Sequence, residues 1–337
     1  MARETGFGGV VMLDGFERNI NYLRISVTDR CNFRCVYCMP PQGKKWLEHD
    51  DILSYEELLR LIKVFNKEGV NKIRLTGGEP LVRKGIVEFI AAITAMGRIK
   101  DISMTTNGSL LPPLAQDLKA AGLNRVNISL DTINPANFAR LTTCGRLEDT
   151  MKGIESAMAS GLSPVKLNVV LTEALNEKDL AYFVELVYNH PIAVRFIEYM
   201  PIGGKGFGGG PDIATVKKML NEAGRARLKP TGTVRGNGPA KYYQFPMAQG
   251  AFGFITPISE HFCSACNRLR LTADGKLRPC LLSNDEIDIK TPLRNGADDR
   301  ELAELFHAAV AAKPQGHSLC RTSGFPDFER TMSQIGG

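Results

Sequence analysis

Three cysteines fall within eight residues, Cys31-Asn32-Phe33-Arg34-Cys35-Val36-Tyr37-Cys38, directly after a segment that alternates like a strand, Tyr22-Leu23-Arg24-Ile25-Ser26-Val27-Thr28. Leu23, Ile25 and Val27 mark an apolar face, and Arg24, Ser26 and Thr28 a polar one. A short loop at the end of a strand lets three thiols converge on one small inorganic object. An iron–sulfur cubane used only for electron transfer takes four thiolates, so three leave one iron open to another ligand. A zinc knuckle is the competing reading, because closely spaced cysteines are common zinc ligands.

The chain around this loop alternates strand and helix. Ser54-Tyr55-Glu56-Glu57 reads as a capping box opening a helix with Leu58, Leu61, Ile62 and Phe65 on one side. A strand at 72–76 runs into Gly77-Gly78-Glu79-Pro80, and a second helix carries Ile86, Phe89, Ile90 and Ile93. Strands at 101–106, 125–131, 165–171 and 194–199 alternate with helices near 114–121, 147–159 and 179–188. Six strand–helix units predict a parallel sheet. A complete eight-unit barrel needs about 250 residues, and this pattern stops after Tyr199. The expectation is therefore an α/β fold, an open six-unit partial TIM-like barrel, with a doubly wound sheet as the competing topology. The glycine-rich segment 201–211 divides the chain into a barrel at 1–210 and a C-terminal domain at 211–337, while residues 1–20 read as a tether. That glycine segment reads as a mobile active-site loop or as the exit from the barrel.

The polar faces of the strands carry chemistry. Asn127, Ser129 and Asp131 alternate with apolar neighbours, as do Lys166 and Asn168. Strands covered by helices on both faces read as continuous apolar runs, so here one face lines a polar interior. Arg24, Arg74, Lys166 and Arg195 all lie in strands, and buried cations are costly unless paired. That predicts an anionic ligand, the alternative being ion pairs to Asp131 and Glu198. The formal charge of +6 is spread along the chain and suits a small anion better than a nucleic acid.

A second cysteine group, Cys263, Cys266 and Cys280, lies near the other end. Asp274-Gly275 signals a hairpin that brings Cys280 back beside the other two. It also places Arg268 and Arg270 on one face of a strand, next to the metal. Either a second cubane with an open iron or zinc with His261 as fourth ligand satisfies this spacing. Cys144 and Cys320 stand alone, and a last helix at 300–311 carries Leu302, Leu305, Phe306 and Val310. With no apolar leader and no run of eighteen apolar residues, the expectation is a cytoplasmic protein, away from membranes, with reduced or metal-bound cysteines.

The cysteine loop followed by Gly77-Gly78-Glu79-Pro80 resembles the radical S-adenosylmethionine (SAM) superfamily. Segments 23–40, 73–80, 164–170, 195–204 and 262–281, the sequence Asn267-Arg268-Leu269-Arg270-Leu271, and the terminal Ile335-Gly336-Gly337 together resemble the GTP 3′,8-cyclases of molybdenum cofactor biosynthesis. The resemblance implies two [4Fe–4S] clusters, one on Cys31, Cys35 and Cys38, the other on Cys263, Cys266 and Cys280. It implies SAM on the first cluster, contacted by Tyr37, Gly78, Ser129 and Met200. GTP on the second is contacted by Arg24, Arg74, Thr105, Lys166, Arg268, Leu269 and Arg270, with Arg268 and Arg270 positioning it. A deoxyadenosyl radical takes hydrogen from C3′ of the ribose, and the carbon radical attacks C8 of guanine. An electron donor, a homodimer, hand-off to the next enzyme of the pathway, and a Gly-Gly tail reaching the active site are further implications. Two other readings stay open: a radical SAM enzyme acting on a peptide, and a zinc-stabilised binding protein for RNA or a partner, which requires an exposed basic face interleaved with aromatics. Iron against zinc content separates the last from the others.

Overall fold

The computed structural model describes residues 2–5, 9–39, 45–202, 209–232, 234, 236, 238–317 and 328–336. Pro40, Gly206, Cys320 and Gly337 lie outside them, as does most of the glycine-rich segment.

Strands β1 (Tyr22–Ser26), β2 (Lys72–Thr76), β3 (Asp101–Thr106), β4 (Arg125–Ser129), β5 (Lys166–Val170) and β6 (Ala193–Ile197) pair in parallel in chain order. A doubly wound sheet reverses its strand order partway across; this one does not, so the barrel-like reading holds. The crossovers are α1 (Tyr55–Lys67), α2 (Ile86–Ala95), α3 (Ala115–Ala120), the pair α4 (Pro135–Thr142) and α5 (Leu147–Ala159), and α6 (Glu177–Asn189). The capping box opening α1 is present: Ser54 Oγ accepts from Glu57 N and Glu57 returns a bond to Ser54 N. Leu23, Ile25, Ile73, Leu75, Ile102 and Met104 are buried in one core with the apolar faces of these helices.

The chain then adds α7 (Ile213–Ala223), β7 (Lys229–Pro230), β8 (Lys241–Gln244), β9 (Ala251–Ile255), β10 (Arg268–Leu271), β11 (Lys276–Arg278), β12 (Ile287–Asp288), α8 (Lys290–Arg294) and α9 (Asp299–Ala311). These strands do not form a sheet of their own. Strand β9 pairs in parallel with β6 at one edge of the barrel sheet, and β10 pairs in parallel with β1 at the other. Among the described residues one sheet of twelve strands results, in the order β12-β11-β10-β1-β2-β3-β4-β5-β6-β9-β8-β7.

Two local expectations are corrected. Residues 1–20 are not only a tether: Ala2–Thr5 pairs antiparallel with Gly9–Met12, and the Asp14 carboxylate closes the next turn by accepting from Phe16 N and Arg18 N. Helix α4 was not read from the sequence, although Asn134 caps it by accepting from Asn137 N and Pro135 occupies its first turn.

Helix α9 returns to the barrel and stacks Phe306 on Phe65 of α1, ring centroids 4.6 Å apart, both side chains fully buried. Phe306→Ala opens a cavity where two halves of the chain meet. It is expected to cost about 3–5 kcal/mol and to lower the thermal unfolding midpoint; an unchanged midpoint would show that α9 is peripheral.

Candidate active site

The parallel register lines up like charges. Arg270 of β10 stands opposite Arg24 of β1, Arg24 opposite Arg74 of β2, Arg74 opposite Ser103 of β3, and Ser103 opposite Arg125 of β4. Arg125 is neutralised by Asp101 through two contacts, Nη2 to Oδ2 at 2.6 Å being one. Lys166 and Arg195 extend the cationic surface along β5 and β6. Arg195 donates to Asn127 Oδ1 at 2.6 Å and to Asn168 Oδ1. Arg74, Lys166, Arg195 and Arg270 are 8%, 2%, 3% and 5% exposed, so water screens none of them. Burial, then Arg195, Arg125 and Arg74, pushes Lys166 down to about 6. Burial, then Arg268, pushes Arg270 down to about 9. Asp131, weighed from the sequence as an ion-pair partner, accepts from Tyr37 Oη and Val170 N, and Glu198, weighed likewise, accepts from Ile258 N and Ser259 N.

A cavity of about 300 Å³ lies over this face. Its wall includes all six clustered cysteines, with Tyr37, Gly78, Ser129, Met200, Arg24, Arg74, Thr105, Arg268 and Arg270. Two residues expected at the site stand apart. Leu269 is 1% exposed in the hydrophobic core, because strand alternation turns it away from Arg268 and Arg270, so its side chain does not reach the cavity. Lys166 lies beneath the wall, its Nζ donating to Tyr242 Oη at 3.2 Å.

The first cysteine loop is held from behind by α4. Arg34 N and Val36 N donate to Thr142 O and Leu141 O, and Phe33 packs edge-on against Phe138. Tyr37 Oη donates to Asp131 Oδ2 at 2.5 Å, which fixes the backbone of the loop. Gly78 passes so close to the start of the loop that a Cβ there would lie 2.3 Å from Arg30 O; only glycine fits. Glu79 accepts from Leu81 N, Thr106 Oγ1 and Asn107 N, tying the ends of β2 and β3 together. Burial raises its carboxyl to about 7.

The second group is built on the β10–β11 hairpin, whose turn uses Gly275 at φ +74°. Two residues that the sequence did not single out hold it. Lys313 Nζ donates to Arg268 O and Pro279 O, both at 2.8 Å, joining the strand that carries the arginines to the chain entering Cys280. Arg18 donates to Cys263 O at 2.8 Å and Pro314 O at 2.7 Å. Lys313 has no local sequence signal; Arg18 pairs locally with Asp14, Nε to Oδ2 at 2.6 Å, but the bonds of both residues to this group go to backbone carbonyls far along the chain. The two groups differ electrostatically. Burial raises Cys31 to about 11 and Cys38 to about 12. Burial also acts on Cys266, but Arg268 and Lys313 outweigh it and bring that thiol down to about 6.

All six clustered cysteines are free thiols facing one cavity. Among the described residues, the group whose ligand atoms close to within 4.8 Å of one another is His261, Cys263 and His317, and neither cysteine trio forms such a group. Three thiols in each group supply the thiolate ligands of a multi-iron cluster and leave one iron without a protein ligand. The trios therefore fit [4Fe–4S] clusters with one iron open, better than zinc. Cys144 is exposed and lies outside this cavity.

Gly336 reaches two of the same arginines. Gly336 O accepts from Arg24 Nη2 at 3.2 Å and from Arg270 Nη1 at 2.9 Å. At φ +70° a Cβ on Gly336 would lie 2.8 Å from Thr76 Cγ2. Gly336→Ala therefore pushes the carbonyl off both arginines. Losing one charge-assisted bond costs about 1.5–3 kcal/mol. Turnover is expected to fall by about tenfold or more with iron content unchanged, and wild-type turnover would show that the contact is incidental.

Residues 25–187 match the Radical SAM superfamily and residues 192–319 match Molybdenum Cofactor Synthesis C. The GTP 3′,8-cyclase of Heliobacterium modesticaldum is 52% identical over 329 residues, covering 97% of this chain and 100% of the relative. Those of Desulforamulus reducens and Moorella thermoacetica are 51% and 48% identical with the same coverage. Among solved structures, Streptococcus suis SuiB bound to S-adenosylmethionine aligns with a TM-score of 0.60 at 14% identity, covering 85% of this chain and 67% of that one. At that identity the likeness shows the fold, an α/β partial barrel with a C-terminal extension, and the peptide reading gains nothing beyond it. No described helix is long and apolar enough to cross a membrane. Two thiol groups facing across a cationic chamber, on a fold and sequence shared along nearly the whole chain, lead to one assignment: this chain belongs to the GTP 3′,8-cyclase family of radical SAM enzymes.

Proposed function

We propose that this chain converts GTP to its 3′,8-cyclised dihydro product in molybdenum cofactor biosynthesis, with SAM and two [4Fe–4S] clusters as cofactors. The observation that carries the reading is the single cavity containing both thiol groups with the arginine row between them. When bound, the clusters and SAM supply the electron, the hydrogen-abstracting radical and an open iron for the guanine edge.

The chain's own residues supply positioning. Cys31, Cys35 and Cys38 would hold the first cluster, and Cys263, Cys266 and Cys280 the second. Tyr37, Gly78, Ser129 and Met200, all on the cavity wall, would contact SAM. Arg24, Arg74, Arg268 and Arg270 would hold the triphosphate, since planar guanidiniums match phosphate oxygens bidentately, and Lys166 would act on it from beneath the wall. The hydroxyl of Thr105, buried and without a hydrogen-bond partner among the described residues, is suited to a polar group of the same ligand. Any contact from Leu269 is through its backbone. With the cations fixed by the sheet, little reorganisation accompanies binding, and the ribose can be held against the SAM end in one orientation. Domains at 1–210 and 211–337, a homodimer, a separate electron donor, hand-off of the product and a cytoplasmic location belong to the same proposal.

Anaerobic incubation with GTP, SAM and a strong reductant is expected to give deoxyadenosine and the cyclised nucleotide. SAM cleavage that ignores GTP would sink the reading. Arg268→Ala and Arg270→Ala are each expected to weaken GTP binding by about thirtyfold or more, from the loss of a buried charge contact, with both clusters retained. Loss of iron in these variants would instead make the arginines part of the scaffold.

Binding should also move a proton. Lys166, held near 6, faces Arg74, Arg125, Arg195, Asp101 and Tyr242. Its ammonium is neutral above that pH in the free protein and charged once phosphate neutralises its neighbours. GTP binding between pH 7 and 8 therefore takes up as much as about one proton, and affinity rises as pH falls toward about 6. Calorimetry in buffers of differing ionisation enthalpy measures the uptake. Lys166→Arg should abolish it, and zero uptake by the wild type would contradict the assignment.

A further inference from the structure

His261 and His317 stand outside the proposed cluster ligands, yet their rings stack at 4.2 Å with planes 30° apart, and each offers a nitrogen within 4.8 Å of Cys263 Sγ. The arrangement is held in place. Arg18 binds the carbonyls of Cys263, Pro314 and Gln315 at 2.7–3.1 Å, clamping the segment before His317 against the cysteine. A Cβ added at Gly316 would lie 3.8 Å from Cys263 Sγ, in van der Waals contact. The Nδ1 atom of His317 is buried and has no hydrogen-bond partner among the described residues, although buried ring nitrogens are ordinarily satisfied. His261 is exposed, so an ion can reach the group from solvent.

We propose that His261, Cys263 and His317 form a mononuclear site for a zinc-class divalent ion, filled when the second cluster is absent and incompatible with it because both require the Cys263 thiolate. Two imidazoles and one thiolate form a borderline-soft donor set, and the fourth tetrahedral position is left to water. Metal–ligand bonds of about 2.0–2.3 Å bring donors to about 3.5 Å from one another, a closure of about an ångström by side-chain rotation. Binding converts the thiol to a thiolate, its proton passing to bulk water, and no electron is transferred. A cluster-free chain is thereby held in a metal-loaded but inactive state until the ion is removed. The mutual exclusion rests on the assignment of Cys263 to the second cluster; the ion site itself does not.

Cobalt(II) is the probe, with its tetrahedral absorption as readout, in the full-length cluster-free chain carrying Cys31→Ala, Cys35→Ala and Cys38→Ala so that the first trio cannot bind. One cobalt per chain is expected, displaced by zinc. Cys266→Ala with Cys280→Ala should leave its affinity within about threefold, and His261→Ala with His317→Ala should weaken it at least tenfold. The reverse pattern, loss in the cysteine pair and none in the histidine pair, overturns the site. Circular dichroism confirms folding, and the single variant His261→Ala, at an exposed position, gives the same test if the double variant unfolds. In a second arm the zinc-loaded chain is given iron and sulfide. It should assemble less than a fifth of the cluster formed by zinc-free chain, with the histidine variant unaffected by zinc. Normal assembly on zinc-loaded protein overturns the exclusion. A Cys263→Ala chain that still assembles the second cluster would overturn it for a different reason, by removing Cys263 from the cluster, while the cobalt result stands.

Discussion

Three guanidiniums side by side on neighbouring parallel strands are an unfavourable arrangement, and the rest of the site follows from how the protein tolerates it. Like charges directly across a sheet repel, and at Arg270, Arg24 and Arg74 the register allows no escape. Arg74 donates to Ser103 Oγ, and Arg24 and Arg270 both donate to the Gly336 carbonyl. Neutral dipoles soften the repulsion without cancelling it. A polyanionic nucleotide suits such a row of guanidiniums, and the apolar core beneath, Leu23, Ile25, Ile73 and Leu75, supplies the stability that holds the row in register.

Much of this was legible in the sequence because it is local. The alternation of Leu23, Ile25 and Val27 against Arg24, Ser26 and Thr28 gives both a strand and the side on which its charges stand. The cysteine spacing and the double glycine after the second strand carry their own geometry, and Ser54 with Glu57 announces the first helix. Each signal requires only neighbours within a few residues.

What was not legible depends on partners far along the chain. The hairpin signal places Arg268 and Arg270 on a strand but says nothing of which edge it joins, and that strand and β9 join opposite ones. Lys313 and Arg18 matter through bonds to carbonyls, which any sequence provides, so no residue pattern marks them. His317 approaches His261 only because the chain after α9 is clamped there. Leu269 is the converse case, since strand alternation turns its side chain away from the face that Arg268 and Arg270 share. Helix α4 is different, since Asn134-Pro135 was a readable start that went unread, and it proves to be the backing of the cysteine loop.

The two edges of the barrel sheet are closed by a single late stretch of chain. Asn21 meets Asn267 beside the β1–β10 pairing, 246 positions apart in sequence. On a ribosome the opening strand must therefore wait, one flank bare, while almost the whole polypeptide is synthesised. Contacts of such long span form slowly, and unpaired strand edges invite association with other chains. Maturation of this protein thus has a vulnerable interval, in which the first thiol loop has been made before the strand that will cover its neighbour, and protection during that interval falls to the cell rather than to the fold.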